Sequence, residues 1–143
     1  MIAAGLVVSP VFSCDEEDSA GLVMAAMSGH KINAVAVTQH GHFVGALSSH
    51  VLLHLENMEE LSMPVGKLLA KHRAVIDPVL TCGPRDSVAD VLKKFESGNA
   101  HRVFVVDRKN AIGVITLSSL FRCMFDAKAA NRSDTMGSVN ILK

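Results

Sequence analysis

Short groups of basic side chains are the residues of this sequence best suited to chemistry. His30-Lys31 and His101-Arg102 are pairs, and Lys71-His72-Arg73 is a run of three. A guanidinium such as that of Arg102 can donate two parallel hydrogen bonds to phosphate oxygens. The same residues can instead be the solvated start of a strand or the solvated C-terminal end of a helix, where positive charge is favourable. Anion binding and a solvated surface are therefore both open interpretations.

Hydroxyl side chains are the second group of residues that could contact a ligand. Ser48 and Thr116 each end an apolar run, and Ser118 and Ser119 follow Thr116 closely. Serine and threonine are common N-caps of helices. The free amides at the start of a helix also attract anions. Because capping and ligand contact are compatible, both functions remain possible for Ser48 and Thr116.

Catalytic and metal-binding patterns are absent from the sequence. It contains no GxSxG, GxGxxG, P-loop or HExxH motif, so we expect no enzyme activity. His50 and His54 are four residues apart, and His40 and His42 lie in a predicted turn. Neither pair has a cysteine or carboxylate at ligand spacing, so we expect no metal site.

Composition and charge exclude several classes of protein. Apolar residues make up 49% of the 143 residues, and fourteen basic side chains balance fourteen acidic ones. The apolar content predicts a folded domain rather than a disordered chain, and the balanced charge argues against a nucleic-acid-binding protein. No apolar run is long enough to span a membrane. The apolar N-terminus, residues 1–12, lacks the basic start of a signal peptide and is expected to be a buried strand or a linker.

The three cysteines, Cys14, Cys82 and Cys123, form no CxxC motif. Neither a zinc site nor a disulfide framework is therefore indicated. Cys14 and Cys82 are expected to be small buried hydrophobic residues. Reduced thiols of this kind favour a cytoplasmic or nuclear protein.

The two halves of the chain resemble each other when one is shifted along the other. Pro10 aligns with Pro78, which is an offset of 68 positions, and the alignment then needs no gap. The same offset pairs cysteines, predicted helix caps, strand valines and turn glycines: Cys14 with Cys82, Asp18-Ser19 with Asp86-Ser87, Val35 with Val103, Gly45 with Gly113. Chance agreement between two amphipathic segments is the alternative. The coincidence of proline, glycine and cap residues favours a true repeat.

Each copy reads as helix, strand, strand, helix. The Asp-Ser pairs are predicted N-caps, and Gly29 and Gly98 are expected to end the first helix of each copy. Two β-branched runs then flank a polar turn. Between the copies, residues 58–72 are predicted to be a helical connector. We expect repeats at 5–57 and 73–127 and a flexible tail at 128–143.

This pattern resembles the CBS domain family over about residues 5–126. The segment from Asp86 to Leu120 carries the resemblance most clearly, with the HR-hydrophobic-VVD strand and the GVIT-x-x-x-L junction. The connector from Glu56 to Val79 and the His101-Arg102 pair are similar to the C-terminal half of the γ subunits of AMP-activated protein kinases. The resemblance implies an α+β fold of two CBS repeats, related by a pseudo-twofold axis, with sheets packed against helices.

The resemblance also implies a site for AMP, ADP or ATP in clefts between the repeats. It implies contacts with the base at the strand entry, with the ribose at the start of the second helix, and with the phosphates through basic side chains. The residues so implicated are Ile32, Asn33, Ala34, Ser48, His30, Lys31 and Arg73 on one side and His101, Arg102, Thr116, Ser118 and Ser119 on the other. The family's ribose-binding Asp is replaced by Val51 in the first copy and by Ser119 in the second.

Two kinds of function are therefore expected from the resemblance. One is nucleotide sensing on behalf of kinase α- and β-type subunits or another attached protein. The other is a ligand-free module for dimerisation or protein interaction, which the two replaced Asp residues favour. The second helices carry apolar side chains beyond the needs of one small core, which predicts a homodimer of the isolated chain. Those side chains are Leu52, Leu53, Leu55, Leu120, Phe121, Met124 and Phe125.

Overall fold

Both halves of the chain build the same order of elements in the computed structural model, which describes residues 11–76, 79–98, 102–118, 120 and 138–142. The first half contains β1 (Val11–Asp15), α1 (Ala20–His30), β2 (Ala34–Gln39), β3 (His42–Ser48) and a 3₁₀ helix (Ser49–His54). A second 3₁₀ helix (Met58–Ser62) and α2 (Val65–Lys71) follow. The second half contains β4 (Leu80–Cys82), α3 (Val88–Gly98), β5 (Arg102–Asp107) and β6 (Asn110–Thr116), and β7 (Ser138–Asn140) comes last.

Two sheets hold these strands in matching registers. In the first, the order is β3-β2-β1-β7, and in the second it is β4-β5-β6. β1 runs parallel to β2 with Cys14 opposite Val37, and β4 runs parallel to β5 with Cys82 opposite Val105. The antiparallel hairpins β2–β3 and β5–β6 each carry a bulge directly after these valines. The expectation of an α+β fold with two repeats is confirmed, and each repeat gains a leading parallel strand.

The corner between the leading strand and the first helix repeats bond for bond. The Asp18 carboxylate accepts a hydrogen bond from the Asp15 amide at 2.9 Å, and the Asp86 carboxylate accepts one from the Gly83 amide at 2.9 Å. The predicted caps differ between the copies. Ser87 and Asp90 form a capping box, whose hydrogen bonds from Ser87 lower the pKa of Asp90. Ser19 makes no side-chain cap, and its hydroxyl instead donates to the Leu61 carbonyl.

The prediction that Gly29 ends the first helix is wrong. Helix α1 continues to His30 and is capped by Lys31, whose backbone is left-handed at φ 56° and ψ 43°. The amide of Lys31 donates to the Ser28 carbonyl at 3.2 Å. Glycine is the usual residue at such a cap, since it adopts this conformation without steric cost. Helix α3, in contrast, does end at Gly98.

Each sheet packs against a separate hydrophobic core. Val35, Val37 and Leu47 of the first hairpin are fully buried, as are Val103, Val105 and Ile115 of the second. The two leading-strand cysteines are buried in these cores, as predicted. Burial raises the pKa of the Cys14 thiol to about 12 and that of Cys82 to about 11, and neighbouring carboxylates add to both shifts. Both thiols are therefore protonated at neutral pH.

The predicted connector is helical and is bonded to the first half of the chain. The Ala20 amide donates to the Met63 carbonyl, and the amides of Val65 and Gly66 donate to the carbonyls of Asp18 and Glu16, each at 2.9 Å. These backbone bonds fix the start of α2 against the corner between β1 and α1. By its contacts, the described chain forms two compact units. The first comprises the elements from Phe12 to α2 together with residues 139–142, and the second includes β4 to β6.

Residues 138–142 differ from the expected flexible tail. β7 pairs with β1 at the edge of the first sheet. The Ile141 amide donates to the Ser13 carbonyl at 2.9 Å, and the Ile141 side chain is buried in the first core. Because β7 and β1 are so distant in sequence, no local sequence pattern predicts that they pair. No helix within the described residues is long and apolar enough to cross a membrane.

Candidate functional site

A cavity of about 430 Å³ opens in the first unit. It lies between α1, the turn that follows it, and the 3₁₀ helix that begins after β3. The lining residues are Met24, Met27, Ser28, Lys31, Ile32, Asn33, Ser49 and Leu52. The cavity is large enough for a small organic ligand.

Within the described part of the chain, the lining of the cavity combines an apolar wall with one charged side chain. Met24 and Met27 stand on one face of α1, and Ile32 and Leu52 extend that wall. Methionine side chains are flexible and polarisable, and they pack well against flat aromatic rings. Among the described residues that line the cavity, Lys31 is the only charged one. The arrangement suits a ligand with a flat apolar part and a negative charge.

The left-handed backbone conformation of Lys31 determines the direction of the chain through Ile32 and Asn33. Because the chain turns sharply at this residue, the Ile32 amide reaches back to the Met27 carbonyl at 3.0 Å. Lys31, Ile32 and Asn33 are thereby placed on the cavity wall. A non-glycine residue in this conformation costs about 1–2 kcal/mol. Such local strain is often found where a backbone is shaped for function.

The strand register brings the predicted base-contacting segment to the start of the next helix. Ala34 of β2 lies opposite Ser48 of β3. The Ser49 amide donates to the Asn33 carbonyl at 2.9 Å, and the Ser48 hydroxyl accepts from the His50 amide at 3.2 Å. Ser48 thus caps its helix, while its neighbour Ser49 lines the cavity.

One predicted contact residue of the first unit, His30, and the residue that replaces the ribose-binding Asp, Val51, have other surroundings. The imidazole of His30 packs against the ring of Phe12, with centroids 5.4 Å apart, and His30 does not line the cavity. Val51, at the position of the family's ribose-binding Asp, is 2% exposed and belongs to the first core. It offers neither a hydrogen-bond acceptor nor contact with solvent.

The second unit repeats the register with more polar residues. Arg102 of β5 lies opposite Thr116 of β6, as Ala34 lies opposite Ser48. Side chains that face each other across an antiparallel pair have Cβ atoms within about 4.5–5.5 Å. Ser118 is exposed just beyond Thr116. The other two predicted residues here, His101 and Ser119, lie outside the described residues.

The three consecutive basic residues of the connector, Lys71, His72 and Arg73, have different environments. His72 is buried, and its Nε2 lies 2.7 Å from a carboxylate oxygen of the buried Glu60. The Lys71 ammonium lies 3.1 Å from the same oxygen and 3.4 Å from the Glu56 carboxylate. Arg73 is exposed at the end of this segment. Lys71 and His72 thus both contact Glu60 within the connector, which the sequence pattern did not indicate.

Glu60 is the centre of that cluster. Burial opposes its ionisation, but several hydrogen-bond donors outweigh this effect. The backbone amides of Asn57 and Glu56 and the side chains of His72 and Lys71 lower the pKa of Glu60 to about 2. Each donor stabilises the carboxylate form.

The described residues form no arrangement that could bind a metal ion. No group of three or more described histidine, cysteine, aspartate or glutamate side chains comes close enough to hold a metal ion. His50 and His54 both lie on the first 3₁₀ helix. A 3₁₀ helix has three residues per turn, so residues four apart do not share a face.

Sequence reasoning missed the contribution of α1 to the cavity. Met24, Met27 and Ser28 fall within the predicted first helix, for which no ligand contact was expected, and Leu52 was expected as part of an apolar surface. Their spacing of three to four residues places them on one side of α1. The same spacing is typical of core residues, so it could not distinguish a core face from a cavity wall.

The repeated geometry has a counterpart among known families. The family model for the CBS domain matches residues 3–56 and again residues 71–126. The chain belongs to the CBS domain family. Both matched ranges cover one leading strand, one helix and one hairpin of the fold described above.

Curated relatives of the chain include γ subunits of the 5′-AMP-activated protein kinase. The human γ-3 subunit is 28% identical over 92 residues, a match that spans 62% of this chain and 19% of the human subunit. The Saccharomyces cerevisiae γ subunit is 23% identical over 105 residues, which span 71% of this chain and 33% of the yeast subunit. The matched part is thus a third or less of these relatives.

Solved structures of CBS domains share the fold. A CBS-domain-containing protein from Agrobacterium tumefaciens superimposes with a TM-score of 0.65 at 19% identity, covering 82% of this chain and 86% of that one. The CBS domain of a bacterial CNNM/CorC family Mg²⁺ transporter, in complex with ATP, has a TM-score of 0.65 at 18% identity. That match covers 86% of this chain and 85% of the transporter domain.

Proposed function

We propose that this CBS pair is a regulatory module that binds an adenine nucleotide, AMP, ADP or ATP, as part of a kinase γ-like subunit. Nucleotide binding would change the arrangement of the attached kinase α- and β-type subunits or of another partner. The proposal assigns no catalytic step to the chain itself. It also implies a cytoplasmic or nuclear location.

The single observation that carries the proposal is the composition of the first unit's cavity. A flat adenine ring fits against the wall formed by Met24, Met27, Ile32 and Leu52, and the Asn33 amide can hydrogen-bond a base edge. The Lys31 ammonium can then neutralise phosphate charge. Lys31, Ile32 and Asn33 belong to the segment that the family resemblance implicates in nucleotide contact.

The relatives support the same class of ligand. The curated matches are subunits of a kinase named for its activation by AMP. The transporter domain with a similar fold is a complex with ATP. In the second unit, Arg102 and Thr116 supply a guanidinium and a hydroxyl at neighbouring positions, which suits phosphate and ribose oxygens.

Calorimetry with AMP, ADP and ATP tests the proposal. We expect one of the three to bind the wild-type chain, and Lys31→Ala to weaken that binding about tenfold, equal to about 1.4 kcal/mol. Alanine keeps the backbone cost of the left-handed cap, so the variant measures the loss of the Lys31 side chain beyond Cβ, which includes its ammonium group. Lys67→Ala is the matched control, because Lys67 is an exposed lysine of the first unit that does not line the cavity.

Thermal unfolding gives an independent measurement of the same binding. A ligand that binds only the folded state, at a hundred times its dissociation constant, stabilises that state by about 2.7 kcal/mol. The proposal fails if none of the three nucleotides changes the unfolding temperature, or if Lys31→Ala and Lys67→Ala bind equally well.

A ligand-free interaction module is the second candidate. It is favoured by the buried Val51, which offers no acceptor to a ribose, and by apolar side chains that face solvent. Leu53 is 81% exposed, and Leu52 and Leu22 are also exposed. Such a surface can hold two copies of the chain together.

Light scattering distinguishes this candidate from the first. The interaction module predicts a homodimer at micromolar concentration that Leu53→Asp converts to a monomer, with no response to nucleotide. A strict monomer that binds nucleotide supports the sensing function and excludes the dimer.

A further inference from the structure

Two methionines of α1 line the cavity of the first unit, and the fold protects them to different degrees. Met27 is 2% exposed and belongs to the first hydrophobic core. Met24, three residues earlier on the same side of α1, is only partly buried against that core. Because Met24 is both partly exposed and part of the cavity wall, a small solute in the cavity has access to its side chain.

The described cysteines are protected from such solutes. Cys14 and Cys82 are buried, and burial raises the pKa of their thiols to about 12 and about 11. The thiolate, and not the thiol, is the form of cysteine that oxidants attack readily. A thioether has no proton to lose, so its oxidation depends on access. Within the described part of the chain, the sulfur atoms open to oxidation are therefore those of methionines.

Oxidation changes the polarity of a methionine side chain at its sulfur atom. Hydrogen peroxide transfers one oxygen atom to the thioether, so the sulfur is oxidised by two electrons to a sulfoxide and the peroxide is reduced to water. The sulfoxide is polar and disrupts apolar contacts. At Met24 it adds an oxygen to the wall that otherwise accepts a flat apolar ring. A ring bound there would remove that oxygen from water, which is unfavourable without a new hydrogen bond.

We propose that Met24 is a modification site at which a peroxide lowers the affinity of the cavity for its ligand, a regulation that rests on the nucleotide binding proposed above. Methionine sulfoxide reductases return the sulfoxide to the thioether, so the change is reversible. Met27 supports the same wall from inside the core, where the peroxide does not reach it. Ligand binding and a response to oxidation thus meet at one residue of α1.

Tandem mass spectrometry of the folded chain after treatment with hydrogen peroxide tests the modification itself. We expect Met24 to be oxidised about tenfold faster than the enclosed Met27, and more slowly than Met58, which is 73% exposed. Saturating AMP, ADP or ATP, whichever binds, should slow the oxidation of Met24 and leave that of Met58 unchanged. Oxidation of Met24 as slow as that of Met27, or a bound nucleotide that does not protect Met24, overturns the proposal.

Calorimetry before and after oxidation tests the effect on binding. We expect peroxide to weaken nucleotide binding to the wild-type chain about tenfold, because the cavity wall gains a polar oxygen. The reductase should restore the original affinity. Met24→Leu removes the thioether and keeps an apolar side chain, so peroxide should leave the affinity of this variant at its value before treatment. Met58→Leu is the matched control. It removes an exposed methionine that does not line the cavity, and it should lose affinity as wild type does.

Three results would contradict the modification site while nucleotide binding stands. The first is an oxidised Met24 with unchanged nucleotide affinity, and the second is a Met24→Leu chain that peroxide weakens as much as wild type. The third is loss of the helical circular dichroism signal on oxidation, which would mean that the sulfoxide disrupts the core and not the cavity wall. If the untreated wild-type chain binds none of the three nucleotides, the proposed function fails, and the regulation of that binding fails with it.

Discussion

At the scale of single residues, different side chains stand in the two copies at the position that the resemblance aligns with the family's ribose-binding Asp. In the first unit Val51 occupies it and contributes to the hydrophobic core. The resemblance aligns Ser119 of the second copy with the same Asp. Substitution by Asp should therefore have opposite consequences at the two sites.

We expect Val51→Asp to lower the free energy of unfolding by about 3 kcal/mol or more, because it buries a carboxylate without a partner. His54→Asp, at an exposed position of the same 3₁₀ helix, should change stability by less than about 0.5 kcal/mol. Urea denaturation of both variants measures the difference. Equal stability of the two variants would show that the Val51 side chain is not enclosed.

Ser119→Asp should instead tighten AMP binding. Hydrogen bonds from two ribose hydroxyls to a carboxylate contribute about 1.5–3 kcal/mol each, less the cost of desolvating the carboxylate. A net gain of about 1.4 kcal/mol corresponds to tenfold higher affinity. Ser97→Asp, an exposed site of α3, is the control for added charge. Unchanged affinity of a folded Ser119→Asp chain would exclude this residue from the ribose site.

At the scale of elements, the two hairpins share a turn geometry but differ in its sequence. His40-Gly41 joins β2 to β3 and Arg108-Lys109 joins β5 to β6, and all four residues have positive φ. Two-residue turns of this type match the twist of the strands, and they favour glycine and asparagine. The second hairpin therefore adopts the turn at a steric cost that the first hairpin avoids at Gly41.

Lys109→Gly should raise the free energy of unfolding by about 0.5–1 kcal/mol, because relief of the left-handed penalty exceeds the entropic cost of glycine. The reverse exchange, Gly41→Lys, should lower the free energy of unfolding by a similar amount. Equilibrium urea denaturation measures both. A destabilised Lys109→Gly chain would mean that the lysine side chain makes a compensating contact.

At the scale of the whole molecule, acid stability depends on the connector. Glu60 has a folded-state pKa of about 2, against an ordinary value of 4.5. A lowered carboxylate pKa stabilises the folded chain above about pH 4.5, and that stability is lost as pH falls toward 2. The cluster joins the second 3₁₀ helix to the end of α2, so its loss removes one link within the connector.

We expect Glu60→Gln to unfold at a lower temperature than wild type at about pH 7, with the gap closing as pH falls from about 4.5 toward 2. Glu59→Gln, at an exposed neighbouring carboxylate, should follow wild type over the whole range. Circular dichroism melts across this pH range measure both. A gap that stays constant with pH would show that the Glu60 carboxylate is not selectively stabilised in the folded chain.

The sequence by itself determined the repeat, the strand pairs and the buried cysteines, because these depend on local periodicity and on cap and turn residues that recur at one offset. Tertiary structure alone decided which basic side chains share a site. His30 and Lys31 are adjacent, yet one packs on Phe12 and the other lines the cavity, because the backbone reverses at Lys31. Likewise Lys71 and His72 contact Glu60. The Ile141 amide donates a hydrogen bond to the Ser13 carbonyl of β1, at the edge of the first sheet. These contacts join distant parts of the chain, and their free energy comes from packing that no local pattern records.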